Sequence, residues 1–211
     1  MGYLGITMGD PAGVGTEIAL KAMHTDVECR KTGIIFGSRD VTEYYNHLLG
    51  YGYQIKEIKT IEDFDPSCIN VVDPEPVSME SFKIGQISSV CGHAAFLYVK
   101  TAIDWAVAQK IDAVVTAPLN KEALHLAGHL YDGHTEIFND FAGTGRYAML
   151  LWSDKMKVIH VTTHVAMREA CNRIKKPRVE EVIRLADETL KQAGYSSPRI
   201  AVAGLNPHSG A

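Results

Sequence analysis

The chain has 211 residues, of which 46% are hydrophobic and 22% charged, as expected for a globular protein that buries a sizeable core. Its 21 basic and 25 acidic side chains give a formal net charge of -4 without any lysine or arginine run, which disfavours nucleic-acid and anionic-membrane partners and favours small-molecule chemistry. The four cysteines form no CxxC pair, and the sequence shows neither a signal-peptide pattern nor an apolar run of about 20 residues. These features predict a cytoplasmic protein with reduced thiols.

Strand-like and helix-like patterns alternate along the chain, which predicts βαβ units in an α/β protein. The predicted strands are residues 3–8, 33–37, 53–59, 68–73, 113–117, 147–152, 157–161 and 199–205. The predicted helices are residues 16–24, 40–49 and 86–110, two that begin near 120 and 135, and one over residues 178–194 that ends at Gly194.

A glycine cluster at residues 9–17 lies between the first predicted strand and helix, where phosphates are often bound. It is not a GxGxxG fingerprint, because Ile18 stands where the third glycine belongs, and it lacks the GK[ST] ending of a P-loop. A ligand-binding loop and a tight turn capped by Thr16 are about equally compatible with this cluster.

Two histidines follow apolar strands, and such positions are where open α/β sheets place their chemistry. His160 and His164 are four residues apart, which on a strand is about 13 Å, too far for both to ligate one ion. We therefore choose His164, at the predicted strand end, together with His208 after the last strand. This pair predicts a metal site that still lacks some of its ligands.

The remaining histidines divide into one candidate and several with ordinary roles. His125 and His129 share a face of a predicted helix, but the segment lacks the glutamate of HExxH, which favours a structural or solvated role. His134 precedes Thr135 in a turn that enters a helix, where free N–H groups suit an anion such as phosphate.

Five motifs, in the same order along the chain, resemble those of the PdxA family. This family comprises the 4-hydroxythreonine-4-phosphate dehydrogenases and their relatives that act on threonate or erythronate 4-phosphate. The motifs are TMGDPAGVG at 7–15, TAPLNK at 116–121, GHTE at 133–136, TTH at 162–164 and GLNPH at 204–208. Residues 116–129 and 157–164 resemble the threonate/erythronate branch more closely than the vitamin B6 branch.

The resemblance implies an isocitrate/isopropylmalate dehydrogenase-like fold with two α/β domains, a central cleft and an active site shared across a homodimer. We assign residues 1–130 to the first domain and 131–211 to an incomplete second domain. By the same resemblance, His164 and His208 are metal ligands and His134 and Thr135 bind the substrate. The family's third metal histidine, further phosphate-binding residues and much of the nicotinamide site lie beyond residue 211, so we expect the short chain to be inactive alone.

The implied reaction is an NAD- or NADP-dependent oxidative decarboxylation with a divalent ion: Zn, Mg, Co or Mn. Oxidation of the 3-hydroxyl of a 4-phosphorylated four-carbon acid gives a β-keto acid that loses carbon dioxide. Neither the residues nor the resemblance assigns a general base. Two other readings stay open: a metal-dependent hydrolase or aldolase that uses His164 and His208, and a non-catalytic fragment.

Overall fold

A computed structural model describes residues 2–143, 145–206 and 208. The chain divides into two compact units, Met1–Gly143 and Thr144–Ala211. This division falls after Gly143, whereas our predicted domain boundary follows residue 130, and the assignment of two domains to the whole protein stays a prediction. No helix of the described residues is both long and apolar enough to span a membrane.

The first unit is built on a five-stranded, wholly parallel sheet. Its strands are β1 Leu4–Thr7, β2 Gly33–Phe36, β3 Ile55–Glu57, β4 Ile69–Val72 and β5 Ala113–Thr116, in the order β3-β4-β2-β1-β5. Its helices are α1 Gly15–Thr25, α2 Val27–Thr32, α3 Arg39–Leu48, α4 Ser89–Val107, α5 Lys121–Leu126 and α6 His134–Ala142. The predicted α/β architecture with a parallel sheet is confirmed.

Helix α4 joins the two apolar cores of the first unit. Tyr98 and Trp105 on α4 belong to the core that covers the sheet, where the Trp105 ring lies edge-on to Phe36 at 5.4 Å between ring centroids. Phe96 on α4 belongs to a second core, together with Leu124 of α5 and residues of α6. The sheet and the α5–α6 region are therefore held to the same helix.

Several helix ends follow from local sequence. Ser38 accepts a hydrogen bond from the Val41 N–H and so caps α3, while Asn120 caps α5 through the Ala123 N–H. The predicted cap at Thr16 is wrong, because α1 begins one residue earlier, with Val14 at its N-cap position. Thr16 consequently lies inside the first turn, and its buried hydroxyl has no partner.

The second unit contains an antiparallel hairpin and two helices. These elements are β6 Leu150–Trp152, β7 Lys157–Ile159, α7 Met167–Arg173 and α8 Lys176–Gln192. Gly194 follows α8 with φ +94°, a left-handed conformation that matches the predicted helix end. A groove of about 820 Å³ lies within this unit, between the hairpin, α8 and residues 195–203.

The predicted strand over residues 199–205 is not formed. Its apolar residues Val202 and Leu205 are exposed, and no strand of the described chain pairs with this segment. An apolar run forms a strand only when a neighbouring strand supplies backbone hydrogen bonds, and a sequence pattern cannot show whether such a neighbour is present. Part of the predicted turn that follows, at Pro207 and residues 209–211, lies outside the described residues.

Candidate functional site

The order of the strands identifies the edge of the sheet that favours a ligand. From β1 the chain runs outward through β2 to β3 and β4, and then returns past β1 to place β5 on its other side. The strand order therefore reverses between β1 and β5. In parallel α/β sheets, ligands bind outside the carboxyl ends of the strands at such a switch point.

The two loops that leave β1 and β5 at this edge are packed closely against each other. The backbone N–H of Asp10 donates to the carbonyl oxygen of Pro118 at 3.0 Å. Gly9 has φ +72°, and a Cβ at this position would lie 2.2 Å from the same Pro118 oxygen. Only glycine combines that backbone conformation with so close an approach. The glycine cluster therefore packs the loop after β1 against the loop after β5 at the switch point.

A groove of about 290 Å³ opens between these loops. It is lined by Asp10, Ala12, Gly13 and Val14 after β1, Gly85, Gln86 and Ile87 before α4, and Pro118, Leu119 and Asn120 after β5. Asp10 is 7% exposed and accepts a hydrogen bond from the Ala12 N–H at 2.8 Å. Burial raises the pKa of the Asp10 carboxyl, an effect that the Ala12 N–H opposes.

His134, a predicted substrate-binding residue, is the first residue of α6 and is joined to the β5 side of this edge. Its ring interacts with the backbone of Ala117, the residue before Pro118 of the groove, and this interaction opposes the lowering of its pKa by burial. Burial lowers the pKa of His134, so the ring is neutral at neutral pH. Its Nε2 atom is buried and has no hydrogen-bond partner. In the tautomer that carries its proton on Nδ1, the neutral ring has a lone pair on Nε2 that can accept a hydrogen bond from a substrate hydroxyl.

Thr135, the other predicted substrate-binding residue, follows in the first turn of α6. It is half-buried, and no side chain caps this helix end at Gly133. The first backbone N–H groups of a helix have no partner within it, so this turn offers donors beside the Thr135 hydroxyl. The structure thus brings His134 and Thr135 to one helix start, while their roles stay predictions.

The predicted metal ligands His164 and His208 both lie in the second unit, and both are exposed. His164 has φ +54°, a left-handed conformation that is uncommon for histidine and that often marks functional positions. Exposed imidazoles suit zinc and related divalent ions, so these residues fit part of such a site. No group of three or more His, Cys, Asp or Glu side chains that could hold a metal occurs within the described part of the chain.

The reason for preferring His164 over His160 does not hold in the structure. Strand β7 ends at Ile159, so the strand spacing that separated the two histidines does not apply. The Nδ1 atom of His160 is buried without a partner. His160 is therefore a further candidate metal ligand, which the predicted strand over residues 157–161 led us to exclude.

A pH dependence of stability follows from the environment of His134. Because its pKa is lowered in the folded state, the unfolded chain binds this proton more readily, and the free energy of unfolding falls as the pH drops from about 6.5 through the folded-state pKa. One proton contributes a slope of at most about 1.4 kcal/mol per pH unit. We expect His134→Gln to reduce this slope, measured by urea unfolding between pH 7.5 and 5. An unchanged slope would contradict the neutral, buried ring.

The comparisons with known proteins bear on these motifs directly. The family model described as pyridoxal phosphate biosynthetic protein PdxA matches residues 29–211. The chain belongs to the PdxA family. This confirms the family resemblance, and four of the five motifs, including those that contain His134 and His164, lie within the matched region.

Individual PdxA-family relatives show the same likeness. The D-threonate 4-phosphate dehydrogenase of Pectobacterium atrosepticum is 40% identical over an aligned length of 213 residues, and the alignment covers 98% of this chain and 64% of that protein. The 4-hydroxythreonine-4-phosphate dehydrogenase of Sulfurihydrogenibium sp. is 34% identical over 207 residues, covering 98% and 63%. The structure of a 4-hydroxythreonine-4-phosphate dehydrogenase from Klebsiella pneumoniae has a TM-score of 0.84 at 39% identity, covering 100% of this chain and 66% of that one. The chain thus spans just under two thirds of the length of these relatives.

Proposed function

We propose that the whole protein is an NAD- or NADP-dependent dehydrogenase that oxidises and decarboxylates a 4-phosphorylated four-carbon 3-hydroxy acid. The observation that carries the proposal is the unpartnered Nε2 of the buried, neutral His134 ring, which interacts with Ala117, the residue before Pro118 of the switch-point groove. Membership of a family whose named relatives are dehydrogenases supports it.

D-threonate 4-phosphate is the substrate that we place first. The relatives named D-threonate 4-phosphate dehydrogenase include proteins 40% and 41% identical to this chain, and those named for 4-hydroxythreonine 4-phosphate include proteins 34% and 39% identical. Erythronate 4-phosphate and 4-hydroxythreonine 4-phosphate are the alternatives. Threonate or erythronate 4-phosphate would give dihydroxyacetone phosphate, and hydroxythreonine phosphate would give an aminoacetone phosphate.

His134 and Thr135 have separate parts in this proposal. His134 accepts a hydrogen bond from a substrate hydroxyl at Nε2, and its interaction with the Ala117 backbone helps to orient the ring. Thr135 and the free N–H groups of the first turn of α6 hold the anionic end of the substrate. Oxidation transfers a hydride from the carbon that bears the hydroxyl to the nicotinamide, and the hydroxyl proton is released.

His164 and His208 are the residues that would hold a divalent ion, because both present exposed imidazoles. When bound, such an ion would polarise the reacting oxygen and stabilise the negative charge left by loss of carbon dioxide. A homodimer with a shared site, the isocitrate dehydrogenase-like two-domain architecture and the inactivity of the 211-residue chain alone belong to the same proposal. A cytoplasmic location stays a prediction.

The role of Thr135 is tested by replacing it with valine, which keeps the shape of the side chain and removes the hydroxyl. We expect the KM for the phosphorylated substrate to rise about tenfold, with a smaller change in kcat, because the lost bond to a charged group contributes to binding before and during the reaction. Steady-state NADH formation by the whole protein measures both constants. Thr25→Val, in a threonine that bonds its own helix backbone at the end of α1, is the matched control. An unchanged KM in Thr135→Val would count against the role.

A further inference from the structure

Three ionisable side chains outside the groove form a chain of polar contacts. His93 on α4 contacts Glu75, which follows β4, with 3.3 Å between Nε2 and Oε2. Its other ring nitrogen, Nδ1, is hydrogen-bonded to Nε2 of His129 at 2.8 Å. The His129 ring also stacks on Phe96 of α4 at 3.8 Å between ring centroids and an interplanar angle of 16°. His129 is thus held to α4 by both a polar and an apolar contact.

His129 lies in the connection between α5 and α6, residues 127–133, which we call the α5–α6 connection. This connection ends where His134 begins α6. It is anchored a second time at Tyr131, whose ring stacks near Phe96 at 5.8 Å and whose carbonyl oxygen is hydrogen-bonded to the His125 ring at 3.0 Å. The contacts of His129 therefore hold the segment that leads directly into His134 and Thr135.

A pair of imidazoles at this distance tolerates one extra proton and not two. With one ring neutral, an N–H of one donates to a lone pair of the other; with both protonated, two N–H groups face each other at 2.8 Å and repel. Burial, with the neighbouring His93 as the second cause, lowers the pKa of His129, so the second proton binds only in acid.

Three other ionisable side chains on the elements around the pair face different partners. On α4, Lys100 lies over the Phe141 ring at 5.4 Å. On α6, Asp140 faces Tyr131, and on α5 the His125 ring contacts the Tyr131 carbonyl. The charged neighbour that lowers the pKa of His129 is therefore His93, after the larger effect of burial.

We propose that the His93–His129 hydrogen bond is a positioning element that holds the α5–α6 connection, and with it His134 and Thr135, and that it releases the connection when both rings are protonated. The positioning of the connection stands on the contacts themselves; its effect on substrate binding rests on the proposed function.

The test is hydrogen exchange of the backbone of residues 127–135 in the full chain, expressed as protection factors at pH 7.5 and pH 5. In the unaltered protein we expect about a tenfold loss of protection at pH 5. His93→Gln should nearly abolish this loss of protection at pH 5, which we call the exchange step, because the glutamine oxygen accepts a hydrogen bond from His129 in either charge state. His129→Phe keeps a ring on Phe96 and loses the bond, so its protection should be low at both pH values.

The matched control is His24→Gln, which changes a histidine that is also stacked and hydrogen-bonded, here to Tyr51 and Tyr53. In this variant, protection of residues 127–135 should fall between pH 7.5 and pH 5 as it does in the unaltered protein. Equal protection at both pH values in the unaltered protein, or full protection in His129→Phe at pH 7.5, would overturn the proposal.

Kinetics separate this proposal from the proposed function. If both hold, the KM for the phosphorylated substrate rises more than kcat falls between pH 7.5 and 5, and His93→Gln reduces that rise. If the exchange step is present but no dehydrogenase activity is found, the proposed function fails and the positioning role stands. If activity is present without the exchange step, the positioning role fails.

Discussion

Replacing Gly9 with alanine is expected to lower the free energy of unfolding of the first unit by about 4 kcal/mol or more. Two costs add. A residue with a Cβ at φ +72° is strained, and the added carbon would lie 2.2 Å from the Pro118 oxygen, a backbone atom that cannot move without parting the loops after β1 and β5. Urea unfolding followed by circular dichroism measures the loss.

Gly50→Ala is the matched control for this prediction. Gly50 has φ +68°, but nothing lies within 4 Å of the position that its Cβ would occupy. It therefore carries the backbone strain without the close approach and should cost only about 1 kcal/mol. If Gly9→Ala destabilises the protein no more than Gly50→Ala, the two loops are not packed as the structure has them.

The second large effect is expected at His164. Replacing it with glutamine in the whole protein should remove bound divalent ion and lower turnover about 10²- to 10³-fold, which corresponds to several kcal/mol of lost transition-state stabilisation. Metal content after dialysis and NADH formation are measured on the same preparation, so that loss of the ion and loss of turnover can be compared.

His160→Gln decides whether the choice between the two histidines is correct. His160 lies four residues earlier, also after β7, and has an unpartnered Nδ1. The proposal expects this variant to retain the ion. Loss of the ion from His160→Gln, with retention in His164→Gln, would transfer the ligand role to His160.

Much of the first unit could be predicted from sequence because its elements carry local signals. Short, largely apolar runs at residues 3–8, 33–37, 68–73 and 113–117 are bounded by glycine, proline or polar residues, and the apolar positions of α4 recur at helical spacing. The strand order could not be predicted, because adjacency in a sheet depends on the packing of distant segments. The switch point between β1 and β5, and the groove beside it, follow from that order alone.

The candidate site divides in the same way. Motif order singled out His134, Thr135, His164 and His208 as candidates, but no local pattern shows that the His134 ring interacts with Ala117 or that His93 contacts His129, 36 residues later. The predicted strand at residues 199–205 and the predicted cap at Thr16 were wrong because both were inferred from local sequence alone. One needed a pairing neighbour, and the other depended on where the helix begins.

The most direct test of the proposed function is the oxidation of D-threonate 4-phosphate by the whole protein, with NAD and a divalent ion present. We expect NADH formation matched one to one by release of carbon dioxide, and a large loss of this activity in His164→Gln. Formation of products without NADH would indicate a hydrolase or aldolase. The absence of turnover with D-threonate, erythronate and 4-hydroxythreonine 4-phosphates would contradict the proposed function altogether.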